Sequence, residues 1–135
     1  MLDSEMLKFV VPSIVAVFGW FAAHQFNAHR DRQNKRRDLR IQFLLEAYRR
    51  LESVANREKK TEEQMLAFES AVADIQLLGS PEQIIATVSY LRQHAAGSGA
   101  QIDEVLQLLR SDLRKEIGLS GKVENAIVFR FVRKP

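Results

Sequence analysis

Three histidines are the side chains in this sequence best suited to bind a metal ion or to move a proton at neutral pH. His24 and His29 are five residues apart, so on one helix they do not share a face as an i, i+4 pair would. His94 is remote in sequence from both. The chain contains no cysteine, which excludes a disulfide framework and a zinc–thiolate site. We therefore predict no metal and no cofactor.

Two acidic pairs, Glu62-Glu63 and Asp103-Glu104, could in principle act as general acid and base. Each pair falls in the first turn of a predicted helix, where acidic side chains interact favourably with the helix dipole. The sequence has no nucleophile elbow, Walker loop, glycine-rich dinucleotide turn or HExxH motif. The sequence therefore predicts a protein that is not an enzyme.

An uncharged apolar stretch dominates the N-terminal region, from Phe9 to Ala23. A span drawn over 6–26 has 21 residues, and at about 1.5 Å per residue it crosses the roughly 30 Å hydrocarbon core of a bilayer. His24 then lies at the inner boundary. A buried core helix and a cleaved signal peptide are the rival interpretations, but the acidic start and the bulky Trp20 and Phe21 do not fit a signal peptide.

A dense group of basic residues follows this span. No Lys or Arg precedes it, so the positive-inside rule predicts an N-terminus outside and a C-terminus in the cytoplasm. We call these residues the basic collar. We expect them to contact anionic lipid, to pack against the acidic region 61–118 of another copy, or only to set the topology. Because the group lacks interleaved aromatic residues and contains Asp31 and Asp38, we predict no nucleic-acid binding. The basic collar is Arg30, Arg32, Lys35, Arg36, Arg37 and Arg40.

Small residues recur along the span at i, i+4, i+7 and i+11: Pro12, Ala16, Gly19 and Ala23. Such a face lets membrane helices approach closely and gain van der Waals contact. We call it the small-residue face and predict that it mediates helix association, most simply between copies of this chain.

The rest of the sequence predicts an all-α protein whose C-terminal tail is not helical. No Gly or Pro occurs between Gly19 and Gly79, so we expect the membrane helix to continue as a stem to about Asn56. Capping boxes at Thr61 and Ser80 predict two further helices, and a fourth ends at Gly118. We expect a small antiparallel bundle. The apolar positions predicted to line it are Ile41, Leu44, Leu45, Tyr48, Leu51, Ala55, Met65, Phe68, Val72, Ile75, Leu78, Ile84, Ile85, Val88, Leu91, Ala95, Ile102, Val105, Leu106, Leu109, Leu113 and Ile117.

The segment 123–132 is rich in β-branched and aromatic residues. If it is extended, Ile127, Phe129 and Phe131 point to one side. Three interpretations follow: a tail that packs these rings on the helices, a strand that pairs with another chain, or an interfacial peptide whose Arg130, Arg133 and Lys134 face lipid. The organisation predicted is therefore an anchor (1–28), a stem (29–60), a helical region (61–118) and the tail (119–135).

Two helical segments and the tail carry a resemblance. Asn34–Glu52 (NKRRDLRIQFLLEAYRRLE), Leu108–Leu119 (LLRSDLRKEIGL) and the aromatic, basic C-terminus resemble a type of small bacterial single-pass membrane protein with an N-terminal anchor and a helical cytosolic domain. The resemblance implies a bacterial inner membrane and carries no activity and no functional residue.

Three functions fit these expectations. The first is a non-enzymatic inner-membrane protein whose helical module supports assembly or docking of a membrane or cytosolic partner. The second is an oligomeric effector that perturbs the bilayer when triggered, as in stress or phage defence. The third is a ligand sensor, which would need a cavity in the helical core.

Overall fold

The computed structural model describes residues 4–131, and these form four α-helices with no strand among them. The helices are α1 (Ser4–Val54), α2 (Glu62–Leu78), α3 (Pro81–Ala95) and α4 (Asp103–Glu116). After α4 the chain has no helix or strand up to the last described residue. The all-α class is confirmed. The chain divides into two compact units, the first ending at Asp38 and the second beginning at Leu39.

The first unit is the N-terminal part of α1, whose apolar stretch is exposed throughout. Within the described residues, α1 is the one helix long and apolar enough to cross a membrane. Pro12 lies inside it, and the Ser13 Oγ donates a hydrogen bond of 2.8 Å to the Phe9 carbonyl. The predicted continuation of this helix into a stem is confirmed, and Asn56, with a φ of 56°, follows its end.

The second unit is built around one hydrophobic core to which all four helices contribute. Leu44 and Leu51 from α1, Ile75 from α2 and Leu109 from α4 are fully buried. The core thus uses the stripe predicted on the C-terminal part of α1. Both predicted capping boxes are also present, each with a reciprocal side-chain bond: Thr61 with Gln64, and Ser80 with Gln83.

The turn between α2 and α3 requires glycine. A Cβ atom at Gly79 would lie 2.4 Å from the carbonyl oxygen of Ile75, which is closer than non-bonded atoms can approach. The Gly79 N–H instead donates to that carbonyl at 2.8 Å and closes the last turn of α2. Because the connection has only two residues, α3 begins beside the end of α2.

The buried face of α3 differs from the predicted one, and the prediction is wrong there. The buried residues are Gln83, Ala86 and Thr87, whereas Ile85 is 69% exposed. Ala95 is exposed, and three other predicted positions are only half-buried: Ile84, Val88 and Leu91. The reason is that Gln83 and Thr87 satisfy their polar groups inside the structure, so a small and partly polar face can pack between α2 and α4. Three residues predicted to lie in the core outside α3 are also exposed, so the prediction is wrong for them: Met65, Leu78 and Ile117.

Candidate functional site

The histidines are engaged in local contacts rather than in a shared site. The His24 ring stacks on Trp20 with centroids 5.6 Å apart, and His29 Nε2 lies 2.9 Å from Nε2 of Gln33. His94 stacks on Tyr90 with centroids 6.0 Å apart. Among the described residues, no group of three or more metal-ligating side chains comes together.

The small-residue face lies on the exposed surface of α1. Pro12, Ala16, Gly19 and Ala23 are all solvent-exposed within the first unit. A Cβ atom added at Gly19 would meet nothing within 4 Å, so this glycine is not required by any contact inside the chain. Space above Gly19 is therefore open to another helix.

The basic collar is divided between the two units. Five members are exposed in the first unit: Arg30, Arg32, Lys35, Arg36 and Arg37. Arg40 lies in the second unit, where its Nε is 2.7 Å from Glu116 Oε1 and its Nη2 is 3.9 Å from Asp112 Oδ2. Arg40 thus links α1 to α4, a role that the sequence analysis did not assign to it.

A buried amide continues this polar contact into α3. The Gln83 side chain is 1% exposed, and its Nε2 donates a 2.6 Å hydrogen bond to Asp112 Oδ2. The Gln83 Oε1 accepts from the Ser80 N–H at 3.0 Å as part of the capping box. The capping sequence predicts the bond to Ser80, whereas the burial of Gln83 depends on Asp112, 29 residues later in the sequence.

Clefts occur at the surface of the second unit. One of about 620 Å³ lies between α4 and the tail and is lined by Arg114, Lys115 and Lys122 among others. Another of about 460 Å³ lies near the start of α4 and includes Tyr90 and His94. Burial raises the pKa of the Tyr90 hydroxyl. The second cleft is also lined by three buried apolar residues: Val54, Ala55 and Ile102.

The tail alternates between half-buried and exposed residues, as an extended segment does. Ala126, Val128 and Arg130 are half-buried, and Val128 packs against the core. Ile127, Phe129 and Phe131 are 90%, 68% and 86% exposed. We call these last three the tail face; its members share one side, as predicted. The structure therefore contradicts the interpretation in which Phe129 and Phe131 pack on the helices.

Side chains of the helices hold the inner side of the tail in place. Gln107 Nε2 donates to the Ala126 carbonyl at 3.4 Å, and Arg110 Nη1 donates to the Glu124 carbonyl at 2.7 Å. These contacts come from α4 and act on backbone atoms. They fix which side of the tail is turned towards the helices.

Arg130 contacts a residue 78 positions away in the sequence, Glu52. Its Nη1 is 2.8 Å from Glu52 Oε1, and its Nη2 donates to the Glu52 carbonyl. The Arg130 Nε is buried without a hydrogen-bond partner among the described residues. In the interfacial-peptide interpretation, one of the three left open for the tail, Arg130 faces lipid together with Arg133 and Lys134; the latter two lie outside the described residues.

No outside likeness adds a residue role to these surfaces. The chain matches no protein-family model, no curated protein and no solved structure.

Proposed function

We propose that this chain is a non-enzymatic, single-pass protein of a bacterial inner membrane, with its N-terminus outside and its helical module in the cytoplasm. One observation carries the proposal: the apolar stretch 9–23 is fully exposed in its own unit, although the second unit buries its core efficiently. Exposing so many apolar side chains to water is costly, and a bilayer removes that cost. The exposed basic residues after it support the orientation.

The helical module would act in assembly or in docking a partner, and we propose that its four helices form an antiparallel bundle. The two-residue connection between α2 and α3 and the packing of α3 on both α2 and α4 support this arrangement. Some of its charged groups form structural pairs, such as Arg40 with Glu116 and Arg50 with Asp74. Anionic lipid at the basic collar and a second copy or another protein at the module are the partners proposed.

Cysteine labelling tests the anchor and its orientation. Because the natural chain has no cysteine, single Ser4→Cys and Gln93→Cys variants each carry one reactive thiol. With a membrane-impermeant maleimide on spheroplasts, we expect Ser4→Cys to react at once and Gln93→Cys only after permeabilisation. The reverse pattern would refute the orientation.

A charge placed within the span tests the anchor itself. Phe18→Arg introduces a cost of roughly 2.5–3.5 kcal/mol at the centre of a membrane helix. We expect it to move protein from the membrane fraction to the soluble fraction, whereas the matched Phe18→Leu variant stays in the membrane. Equal fractionation of both variants, or recovery of the natural chain as a soluble protein, would overturn the proposal.

The small-residue face is proposed to support helix association. Gly19→Ile fills the open space above the helix and would weaken self-association in a membrane-helix reporter assay. Val17→Ile enlarges a side chain that lies about 160° around the helix from Gly19, off this face, and serves as the control. Equal association of the two variants would sink the role of the face.

A further inference from the structure

The tail face is an exposed apolar surface on a segment that the protein holds in one orientation. The tail is fixed from its other side by Arg130 on Glu52 and by two side chains of α4 on its backbone. The rings of Phe129 and Phe131 pack edge to face with centroids 4.9 Å apart. A partner therefore meets a surface that is already ordered, which reduces the entropy lost on binding.

We propose that the tail face binds the tail face of a second copy of this chain. The proposal rests on the membrane anchoring proposed above and names the partner of that assembly. A two-fold contact brings the same patch together from both sides, so the patch must be compatible with itself. Ile127, Phe129 and Phe131 carry no charge, and therefore two copies of this face meet without placing like charges opposite each other.

The exposed area also favours a partner that is anchored in the same membrane. The two phenylalanine rings and Ile127 offer about 400 Å² per copy, judged from their exposed fractions and ordinary side-chain areas. A stable interface between free proteins buries about 800 Å² per partner. Half of that area gives weak binding in solution, but copies confined to one bilayer meet at a much higher effective concentration.

A lipid surface fits the described tail less well. An interfacial peptide combines exposed apolar residues with cations on the same segment. Here Arg130 is turned away from the tail face and is bonded to Glu52. The side that carries the rings between Ile127 and Phe131 therefore offers no positive charge to a lipid headgroup.

The anchor limits how two copies can be related. Copies inserted with the same orientation are related by an axis along the membrane normal. Equivalent residues of the two tails then lie at the same level relative to the membrane.

Oxidative cross-linking of the full-length protein in native membranes tests this arrangement. Single-cysteine variants at Ile127, Phe129 and Phe131 are each expected to form a disulfide-linked dimer under mild oxidation, seen as doubled mass on a non-reducing gel. Val128→Cys, which points to the core from the same segment, is the matched control and is expected to remain monomeric. Equal yields at 128 and 129, or no dimer at any of the three positions, would overturn the proposal.

Two further observations separate the possible failures. Adducts with a different polypeptide in place of a doubled mass would refute the second copy as partner. The same membranes are fractionated in parallel: membrane-bound chains that do not cross-link overturn this inference alone, whereas soluble chains overturn the proposed function.

Discussion

Replacing Gln83 with alanine tests the account of how α3 is held against α4. The Gln83 side chain is almost fully buried and makes two hydrogen bonds, one to the Asp112 carboxylate at 2.6 Å and one from the Ser80 N–H at 3.0 Å. Gln83→Ala removes both and leaves two partly buried groups without these partners.

The magnitude follows from the two bonds. A hydrogen bond to a charged group contributes about 1.5–3 kcal/mol, and losing half of a capping box costs about 0.5–1 kcal/mol. We therefore expect Gln83→Ala to lower the free energy of unfolding of the second unit by about 2–4 kcal/mol. Against a typical total of about 5–15 kcal/mol, this is a large fraction.

Urea unfolding of the full-length protein in detergent micelles, followed by far-ultraviolet circular dichroism, measures this change. With a slope of about 2 kcal/mol per molar urea, the midpoint is expected to fall by about 1–2 M. Gln93→Ala, on the exposed end of the same helix, is the control and is expected to change stability by less than about 0.5 kcal/mol.

A double-mutant cycle then isolates the contact between the two helices. Gln83→Ala and Asp112→Ala are expected to show a coupling energy of at least about 1 kcal/mol, because each removes the same bond. Additive effects, or a Gln83→Ala loss no larger than that of Gln93→Ala, would refute the reasoning that this buried amide selects the packed face of α3.

Three other predictions concern the core, the tail and pH. Leu51→Ala is expected to destabilise the second unit by about 2–5 kcal/mol in the same urea experiment, whereas the exposed Leu39→Ala changes it by less than about 0.5 kcal/mol. Arg130→Ala is expected to speed amide hydrogen exchange in residues 122–131, measured by mass spectrometry, while Lys122→Ala leaves those rates unchanged. Burial raises the pKa of the Tyr90 hydroxyl, so the stability that its neutral form contributes is fully present below pH 10 and is lost as the pH rises through the higher folded pKa. Tyr90→Phe is therefore expected to flatten the fall of the urea midpoint at alkaline pH, and an unaltered fall would contradict this.

Local sequence patterns predicted the elements of the fold well. The capping boxes at Thr61 and Ser80 depend on residues three positions apart, and a long stretch without glycine or proline supports one continuous α1. The stripe containing Leu44 and Leu51 is also a local pattern, since helix geometry places these side chains on one face. These features need no knowledge of the rest of the chain.

The features that sequence patterns did not predict depend on contacts between residues that are distant in the sequence. The most apolar face of α3 includes Ile85, but the packed face is the one whose Gln83 meets Asp112, 29 residues later. The alternation in the tail was readable, but its orientation depends on Arg130 meeting Glu52 across 78 residues. The contact of Arg40 with Glu116 could not be predicted either, because only the position of α4 distinguishes Arg40 from the other basic residues near it.

The use of α1 in the core has a consequence for synthesis. Leu51 leaves the ribosome long before Leu109, a fully buried residue of α4, because 58 residues separate them in the sequence. At about 5–20 residues per second, the apolar stripe on α1 remains without its α4 partner for roughly 3–12 seconds. During that interval the nascent chain presents Leu44 and Leu51 to chaperones and to neighbouring nascent chains. Translation speed over α2–α4 therefore sets how long this chain is open to misassembly before its own last helix arrives.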